Sequence, residues 1–202
     1  MAIAIALLAA GRGARFGDGV AKPLLELCGV TLLDRALSAA IGSGLAPILV
    51  VVGHRGDEVA RAAPASVEVV HAADWDDGIS CTLRRALEAL DHRLDVEAVI
   101  VGLADQPLIG AQSYQRLAAA YHGGAELAVA TYNGQRANPV LLARPLWPEA
   151  RSLVGDVGAR ALLRTRAAFE VDCTDTGDPI DVDTPDDLAS LEERCRSKMS
   201  SG

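Results

Sequence analysis

Short, unbroken apolar runs alternate with segments of helical period along almost all of the 202-residue chain, and this rhythm limits the possible folds more than any other feature. Ile48 to Val52 reads Ile-Leu-Val-Val-Val without polar alternation, the pattern of a strand covered on both faces. The spacing predicts strands over Ile3–Leu8, Pro47–Val52, Val67–His71, Val96–Leu103, Leu127–Tyr132, Asn138–Leu142 and Ala168–Val171. Helical patterns fall over Leu32–Ile41, Asp57–Ala63, Ser80–Leu90, Ala111–Tyr121, Gly158–Arg166 and Pro185–Arg196. Strand, helix, strand in repetition predicts an α/β sandwich on a mainly parallel sheet, because parallel neighbours need a crossover that a helix supplies. Ligands of such sheets bind outside the carboxyl ends of the strands, so chemistry is expected there.

No low-complexity linker or internal repeat divides the chain, so one domain over residues 1–195 is expected, with residues 196–202 as a fraying tail. The 19 Lys and Arg against 27 Asp and Glu leave a net charge of −8. Nucleic acid and anionic membranes are held chiefly by basic side chains, so neither is expected as a partner. The acidity is local: nine acidic residues and no basic one lie between Asp172 and Glu193. The apolar run Ala2 to Ala10 is about half the ~20 residues that span a bilayer, and no Lys or Arg precedes it. It is expected to form a first buried strand in a cytoplasmic protein. Cys28, Cys81, Cys173 and Cys195 have no CxxC or zinc-type spacing and read as small buried hydrophobes. His54, His71, His92 and His122 are isolated and read as structural.

The first strand runs into Leu8-Ala9-Ala10-Gly11-Arg12-Gly13-Ala14-Arg15-Phe16-Gly17, and Lys22-Pro23-Leu24-Leu25 follows. Glycines let backbone N–H groups approach phosphate oxygens, and Arg15 and Lys22 add full charges, so the loop suits a polyphosphate. A dinucleotide-binding loop is disfavoured, because Phe16 fills the third glycine place and Asp34 lies in a helical pattern instead of ending a second strand. A P-loop is excluded, since Lys22 is followed by Pro23 where Ser or Thr is required.

Asp105 follows the Val96–Leu103 strand in Ala104-Asp105-Gln106-Pro107 and so stands at a carboxyl end. A carboxylate there suits a hard cation shared with substrate phosphates; the alternative is an N-cap for the helix near Gly110. Further along, Ile180-Asp181-Val182-Asp183-Thr184-Pro185-Asp186-Asp187 combines carboxylates with a helix start, Asp186 and Asp187 complementing the helix dipole. In Trp75-Asp76-Asp77-Gly78-Ile79-Ser80-Cys81-Thr82, the Thr82 hydroxyl suits phosphate or ribose, while Ser80 suits a helix cap.

These segments together resemble the MobA-like nucleotidyltransferases, in particular their molybdenum-cofactor cytidylyltransferase branch. The loop is similar to the pattern L-x-[AG]-G-x-S-x-R-[MF]-G followed by K-x-L-L, matched by Leu8, Gly11, Arg15, Phe16, Gly17, Lys22, Leu24 and Leu25, with Gly13 and Ala14 replacing the small polar residue. The Asp-Gln-Pro triplet resembles the family's metal-binding motif, and the Asp181–Pro185 string resembles the branch's C-terminal motif. Tyr132 to Val140 and Gly155 to Arg160 resemble its acceptor-facing segments, with Ala137 in a glycine place and Ala72-Ala73 where Asn-Pro is frequent.

The resemblance implies a Rossmann-like three-layer α/β/α sandwich, akin to the nucleotide-diphospho-sugar transferases, with an antiparallel strand inserted. It implies transfer of CMP from CTP to molybdopterin, the Leu-Ala-Ala-Gly loop start favouring CTP over GTP. Leu8, Ala9, Ala10, Gly11, Arg12, Gly13, Arg15, Lys22, Thr82 and Asp105 would bind nucleotide; of these Arg15, Lys22 and Asp105 would also be catalytic; Asp105 and Asp183 would hold Mg²⁺, with Asp181 as second choice. Asn138, Pro139, Asp156, Gly158 and Arg160 would face the acceptor, Arg160 having an ion pair with Asp156 as its alternative. A molybdenum hydroxylase apoenzyme is the implied downstream partner. Transfer to another phosphorylated acceptor, or a flavin- or nicotinamide-dependent reductase or cofactor carrier on the same scaffold, are the competing readings.

Overall fold

The computed structural model describes residues 2–17 and 19–200. Its elements in chain order are β1 (Ala2–Ala9), β2 (Glu26–Leu27), β3 (Val30–Thr31), α1 (Leu32–Gly42), β4 (Ile48–Val52), α2 (Gly56–Ala62), β5 (Glu68–His71) and α3 (Ile79–Ala89). They continue with β6 (Val96–Leu103), α4 (Ala111–His122), β7 (Leu127–Tyr132), β8 (Gln135–Ala143), α5 (Trp147–Arg151), β9 (Phe169–Asp172) and α6 (Pro185–Ser200). A seven-stranded sheet has the order β5-β4-β1-β6-β8-β7-β9, and β2 with β3 makes a separate hairpin. β8 runs antiparallel to both its neighbours, while β1 with β4, β1 with β6, β4 with β5 and β7 with β9 pair in parallel.

β1 explains the three layers. Its odd residues Ile3, Ile5, Leu7 and Ala9 enter one core with Leu33 and Leu37 of α1, Val59 of α2 and Leu117 of α4. Its even residues Ala4, Ala6 and Leu8 enter a second core with Leu83 and Leu87 of α3 and Trp147. Side chains alternate across a strand, so a strand apolar at every position must be covered on both faces. Each fully buried leucine of these cores contributes about 2 kcal/mol through loss of apolar surface.

The antiparallel strand follows from the turn before it. Asn133 and Gly134, with φ of 50° and 76°, form the two-residue connection between β7 and β8, and both residue types tolerate the left-handed region that such a hairpin needs. Farther along, Val129 faces Val140 but Ala130 faces Ala137, so Asn138 and Pro139 bulge out of the ladder. Pro139 has no N–H to pair, and the bulge turns Asn138 toward a cavity described below.

Three expectations are corrected. Gly158–Arg166 holds a 3₁₀ stretch over Ala159–Arg164 in place of an α-helix. α6 continues to Ser200, past the expected end at Arg196, and residues 201–202 lie outside the described residues. Cys28 is exposed, whereas Cys81 and Cys173 are buried as expected. Among the described residues no helix is long and apolar enough to cross a membrane.

Candidate active site

The chain leaves β1 for β4 on one side and takes up β6 on the other, which makes the β1–β6 boundary the point where strand order reverses. A crevice opens at the carboxyl ends of two strands whose connections diverge. The glycine loop and Asp105 both stand there. Ala104 N–H donates to the Leu8 carbonyl at 3.0 Å, and His54 N–H donates to the Ala10 carbonyl at 3.1 Å, which ties the loop's first residues to the sheet. Gly13 has φ of 63°, and a Cβ there would come 2.7 Å from Lys22 Cβ. Only glycine lets the loop turn and lie against Lys22.

Lys22 retains only 8% of its surface, and its ammonium joins three distant parts of the chain. Nζ is 2.7 Å from Asp105 Oδ2 and 2.8 Å from Asp183 Oδ1. Arg15 Nη1 lies 3.6 Å from Asp183 Oδ2. Burial opposes the Lys22 charge, but Asp105 and then Asp183 outweigh it and raise its pKa above the ordinary lysine value. The lysine expected to meet phosphate therefore spans the two carboxylates expected to hold metal.

The C-terminal motif is docked by backbone bonds. Val182 N–H donates to the Asp105 carbonyl at 2.9 Å, and Gln106 Nε2 donates to the Pro179 carbonyl at 3.1 Å. Val182 is fully buried with Leu27, Leu32 and Leu191. In extended chain its neighbours Asp181 and Asp183 face away from that core, which is the physical use of Asp-Val-Asp. Asp187 Oδ2 accepts from the N–H of Asp183 and Thr184 at 3.0 and 2.7 Å, while Thr184 Oγ1 accepts from Asp187 N–H at 3.2 Å. This reciprocal cap fixes Asp183 at the head of α6. The Asp181 carboxyl, although in part open to solvent, is pushed up to about 6, first by lost hydration and then by the Asp105 charge.

Asp105 Oδ1 is buried without a hydrogen-bond partner, next to a second carboxylate. That arrangement fits a hard divalent cation. Among the described residues no group of three or more His, Cys, Asp or Glu is arranged to hold a metal. Two carboxylates leave most of a cation's positions to water and substrate phosphates, as Mg²⁺ prefers. Asp105 does not serve as the helix cap, because Gly110 occupies that position in α4.

Two cavities adjoin one another, and the first reaches the cluster through Asp105. One, of about 360 Å³, is lined by Ala10, Gly11, Arg12, Trp75, Thr82 and Asp105. The other, of about 560 Å³, is lined by Arg136, Asn138, Gly158, Arg160 and Arg164. Leu8, Ile79, Leu103 and Asp156 line both, so the spaces are continuous. Arg12 lies 5.6 Å above the Trp75 ring and 3.8 Å from Asp76, at the rim of the first cavity. Gly78 caps α3, so Ser80 does not; its hydroxyl is buried without a partner.

The expected residues are not all gathered. Leu8, Ala10, Gly11, Arg12, Thr82 and Asp105 line the first cavity, and Asn138, Asp156, Gly158 and Arg160 line the second. Ala9 points into the core, and Pro139 lines neither space. Arg160 forms no ion pair with Asp156 and donates instead to the Arg136 carbonyl at 3.2 Å. The sequence reading missed Arg164, which lines the second cavity and whose guanidinium makes no hydrogen bond or ion pair among the described residues. The basic spacing Arg160, Arg164, Arg166 after the glycine-rich turn was the available signal.

Comparison with known proteins agrees with this geometry. The chain is 30% identical over 99% of its length to the bifunctional IPC transferase and DIPP synthase of Rubrobacter xylanophilus, covering 53% of that protein. It is 25% identical over 96% of its length to the molybdenum cofactor cytidylyltransferase of Escherichia coli K12, covering 97% of it. The crystal structure of Rv0371C in complex with manganese, from Mycobacterium tuberculosis H37Rv, superposes with a TM-score of 0.79 at 28% identity, covering 96% of this chain and 99% of that one. The chain spans between a quarter and about half the length of several curated relatives it matches. A seven-stranded sheet with its loop, carboxylates and twin cavities at the reversal point accords with the family model matched over residues 5–171, and the chain belongs to the MobA-like NTP transferase domain family of nucleotidyltransferases.

Proposed function

We propose that the protein transfers CMP from CTP to the terminal phosphate of molybdenum-bound molybdopterin and releases pyrophosphate. The observation that carries this reading is the Lys22–Asp105–Asp183 cluster beside two continuous cavities, one below the glycine loop and one with Arg160 and Arg164 on its wall. CTP would occupy the first space, its base against the backbone of Leu8 to Ala10 and its triphosphate along Gly11 to Gly13, a stretch of which Leu8, Ala10, Gly11 and Arg12 line that space. An acceptor phosphate oxygen would bond to the α-phosphorus in line with the bond to the β-phosphate, which breaks as pyrophosphate departs. No nucleophilic side chain is needed, because positioning and charge stabilisation carry phosphoryl chemistry.

Mg²⁺ bound by Asp105 and Asp183 would neutralise charge developing on the transferring group. A bound manganese in a 28%-identical relative supports a divalent cation here. Lys22 holds the two carboxylates in register, and Arg15 stands at the other oxygen of the Asp183 carboxylate. The reading is of a cytoplasmic enzyme whose product would pass to a molybdenum hydroxylase apoenzyme.

A second reading keeps the chemistry and changes the acceptor, and the 30% identity to an IPC transferase favours it. The deciding experiment measures pyrophosphate release with each of the four NTPs and Mg²⁺, with and without molybdopterin. Release confined to CTP plus molybdopterin is the expected result. Preference for GTP, or release with another phosphorylated acceptor only, would overturn the specific assignment.

Arg164→Ala tests the second cavity. Removal of an unpaired guanidinium from an anion site is expected to raise KM for the phosphorylated acceptor about 10-fold, the charge-assisted bond being worth roughly 1.5 kcal/mol at an exposed position. KM for CTP should stay unchanged. An equal rise in both constants would place Arg164 outside the acceptor site.

A further inference from the structure

Two of the four cysteines stand at one small core, although they lie near opposite ends of the chain. Cys28 and Gly29, with φ of 54° and 75°, make the two-residue turn of the β2–β3 hairpin. Leu27, just before Cys28, is fully buried in a small core with Leu32, Val182 and Leu191. Cys195, one helical turn beyond Leu191 on α6, packs against the same core. The core thus pins the hairpin turn to the α6 face, and the nearby Cys195 thiol is the first influence holding the Cys28 thiol above its ordinary pKa. Cys28 is exposed and Cys195 is partly exposed, so an oxidant can reach the pair, whereas Cys81 and Cys173 are buried elsewhere.

We infer that Cys28 and Cys195 form a reversible disulfide, a redox modification site outside the cavities of the candidate active site. With hydrogen peroxide as oxidant, one thiolate attacks a peroxide oxygen and the O–O bond breaks, giving a sulfenic acid and, after protonation, water. The second thiol then attacks that sulfur, the S–S bond forms and a second water leaves. Two electrons pass from the sulfurs to peroxide, and the two thiol protons end in the waters. The cross-link joins the hairpin that follows Lys22 to the helix that follows Asp183, closing a loop that spans most of the chain. A long closed loop restricts the unfolded chain strongly, so oxidation should stabilise the fold. Cys195 holds Cys28 above its ordinary pKa, so cross-linking should quicken as pH rises.

The experiment treats the full chain with hydrogen peroxide and, separately, with glutathione disulfide, then maps peptides without reduction by mass spectrometry and records thermal unfolding. A Cys28–Cys195 linked peptide lighter by two hydrogens is expected. Tm should rise by roughly 5 °C or more and return on reduction. Cys28→Ser and Cys195→Ser should each abolish both effects, and Cys81→Ser should leave them intact. Separate sulfinic acid or glutathione adducts on Cys28 and Cys195, or links only between two molecules, would overturn the proposal. This readout needs no nucleotide and stands apart from the transferase assay.

Discussion

Asp105→Asn is expected to lower the rate of nucleotidyl transfer by about 10²–10³-fold while the protein remains folded. The Asp105 main-chain carbonyl, which receives Val182 N–H at 2.9 Å, is kept in this variant, so the docking of the C-terminal motif persists. The carboxylate charge is lost. If the amide oxygen faces Lys22 Nζ, in place of Oδ2 at 2.7 Å, the NH₂ group takes the place of the orphaned Oδ1 and presents hydrogens where a cation should sit. If the amide turns over, its NH₂ faces the ammonium and the Lys22 bridge to Asp183 loosens. Either orientation damages the site. Pyrophosphate release with CTP, Mg²⁺ and acceptor measures the loss, and thermal unfolding checks the fold. Turnover within about threefold of the unsubstituted chain would remove Asp105 from the metal site.

Gly78→Ala should be the most damaging small substitution at the cavities. A Cβ at this position would lie 2.4 Å from the Gly155 carbonyl carbon, 2.6 Å from its oxygen and 2.8 Å from Asp156 N. All three are backbone atoms, so no side-chain rotation relieves the clash, and the φ of 110° is itself unfavourable for alanine. Relief requires moving the Gly155–Asp156 segment away from α3, which breaks the Ser80 N–H bond to the Gly155 carbonyl, 3.1 Å long. Asp156 lines both cavities, so the shift reaches donor and acceptor sides together. The expected cost is about 2–4 kcal/mol, or a Tm lower by roughly 5–15 °C, with both KM values raised. Gly155→Ala is the control: its φ is 76° but nothing lies within 4 Å of the added methyl. It should cost only about 1–2 kcal/mol. Equal losses in the two variants would show that backbone conformation, not the clash, decides the effect.

The long strands were legible because Val- and Ile-rich runs announce burial on both faces, and the seven segments expected from apolar runs correspond to the seven strands of the sheet. The β2–β3 hairpin was not legible, since two-residue strands carry no period and depend on Leu27 finding Val182 and Leu191 late in the chain. The reversal of β8 was written in Asn133-Gly134, yet an apolar run has no direction, so only the turn between runs tells antiparallel from parallel. Arg164 escaped notice because a 3₁₀ stretch rotates its side chains differently from the α-helix the spacing implied.

The sequence by itself determined the glycine loop after the first strand, the placing of Asp105 at the end of another and the Asp-Val-Asp alternation that keeps one residue buried and two facing out. From chain order alone, Arg12, Arg15 and Lys22 formed a basic patch opposed only by Asp18, which lies outside the described residues, and phosphate was their natural partner. Tertiary structure decided otherwise for the resting site. Lys22 meets Asp105 and Asp183, 83 and 161 residues away, and Arg12 leans toward Asp76. The sheet order sets β6 beside β1, and the bond from Val182 to Asp105 brings the acidic C-terminal motif onto the same spot. Where water is excluded, a buried ammonium must take the nearest anions, and which anions are nearest is a property of the fold and not of the segment that carries the lysine.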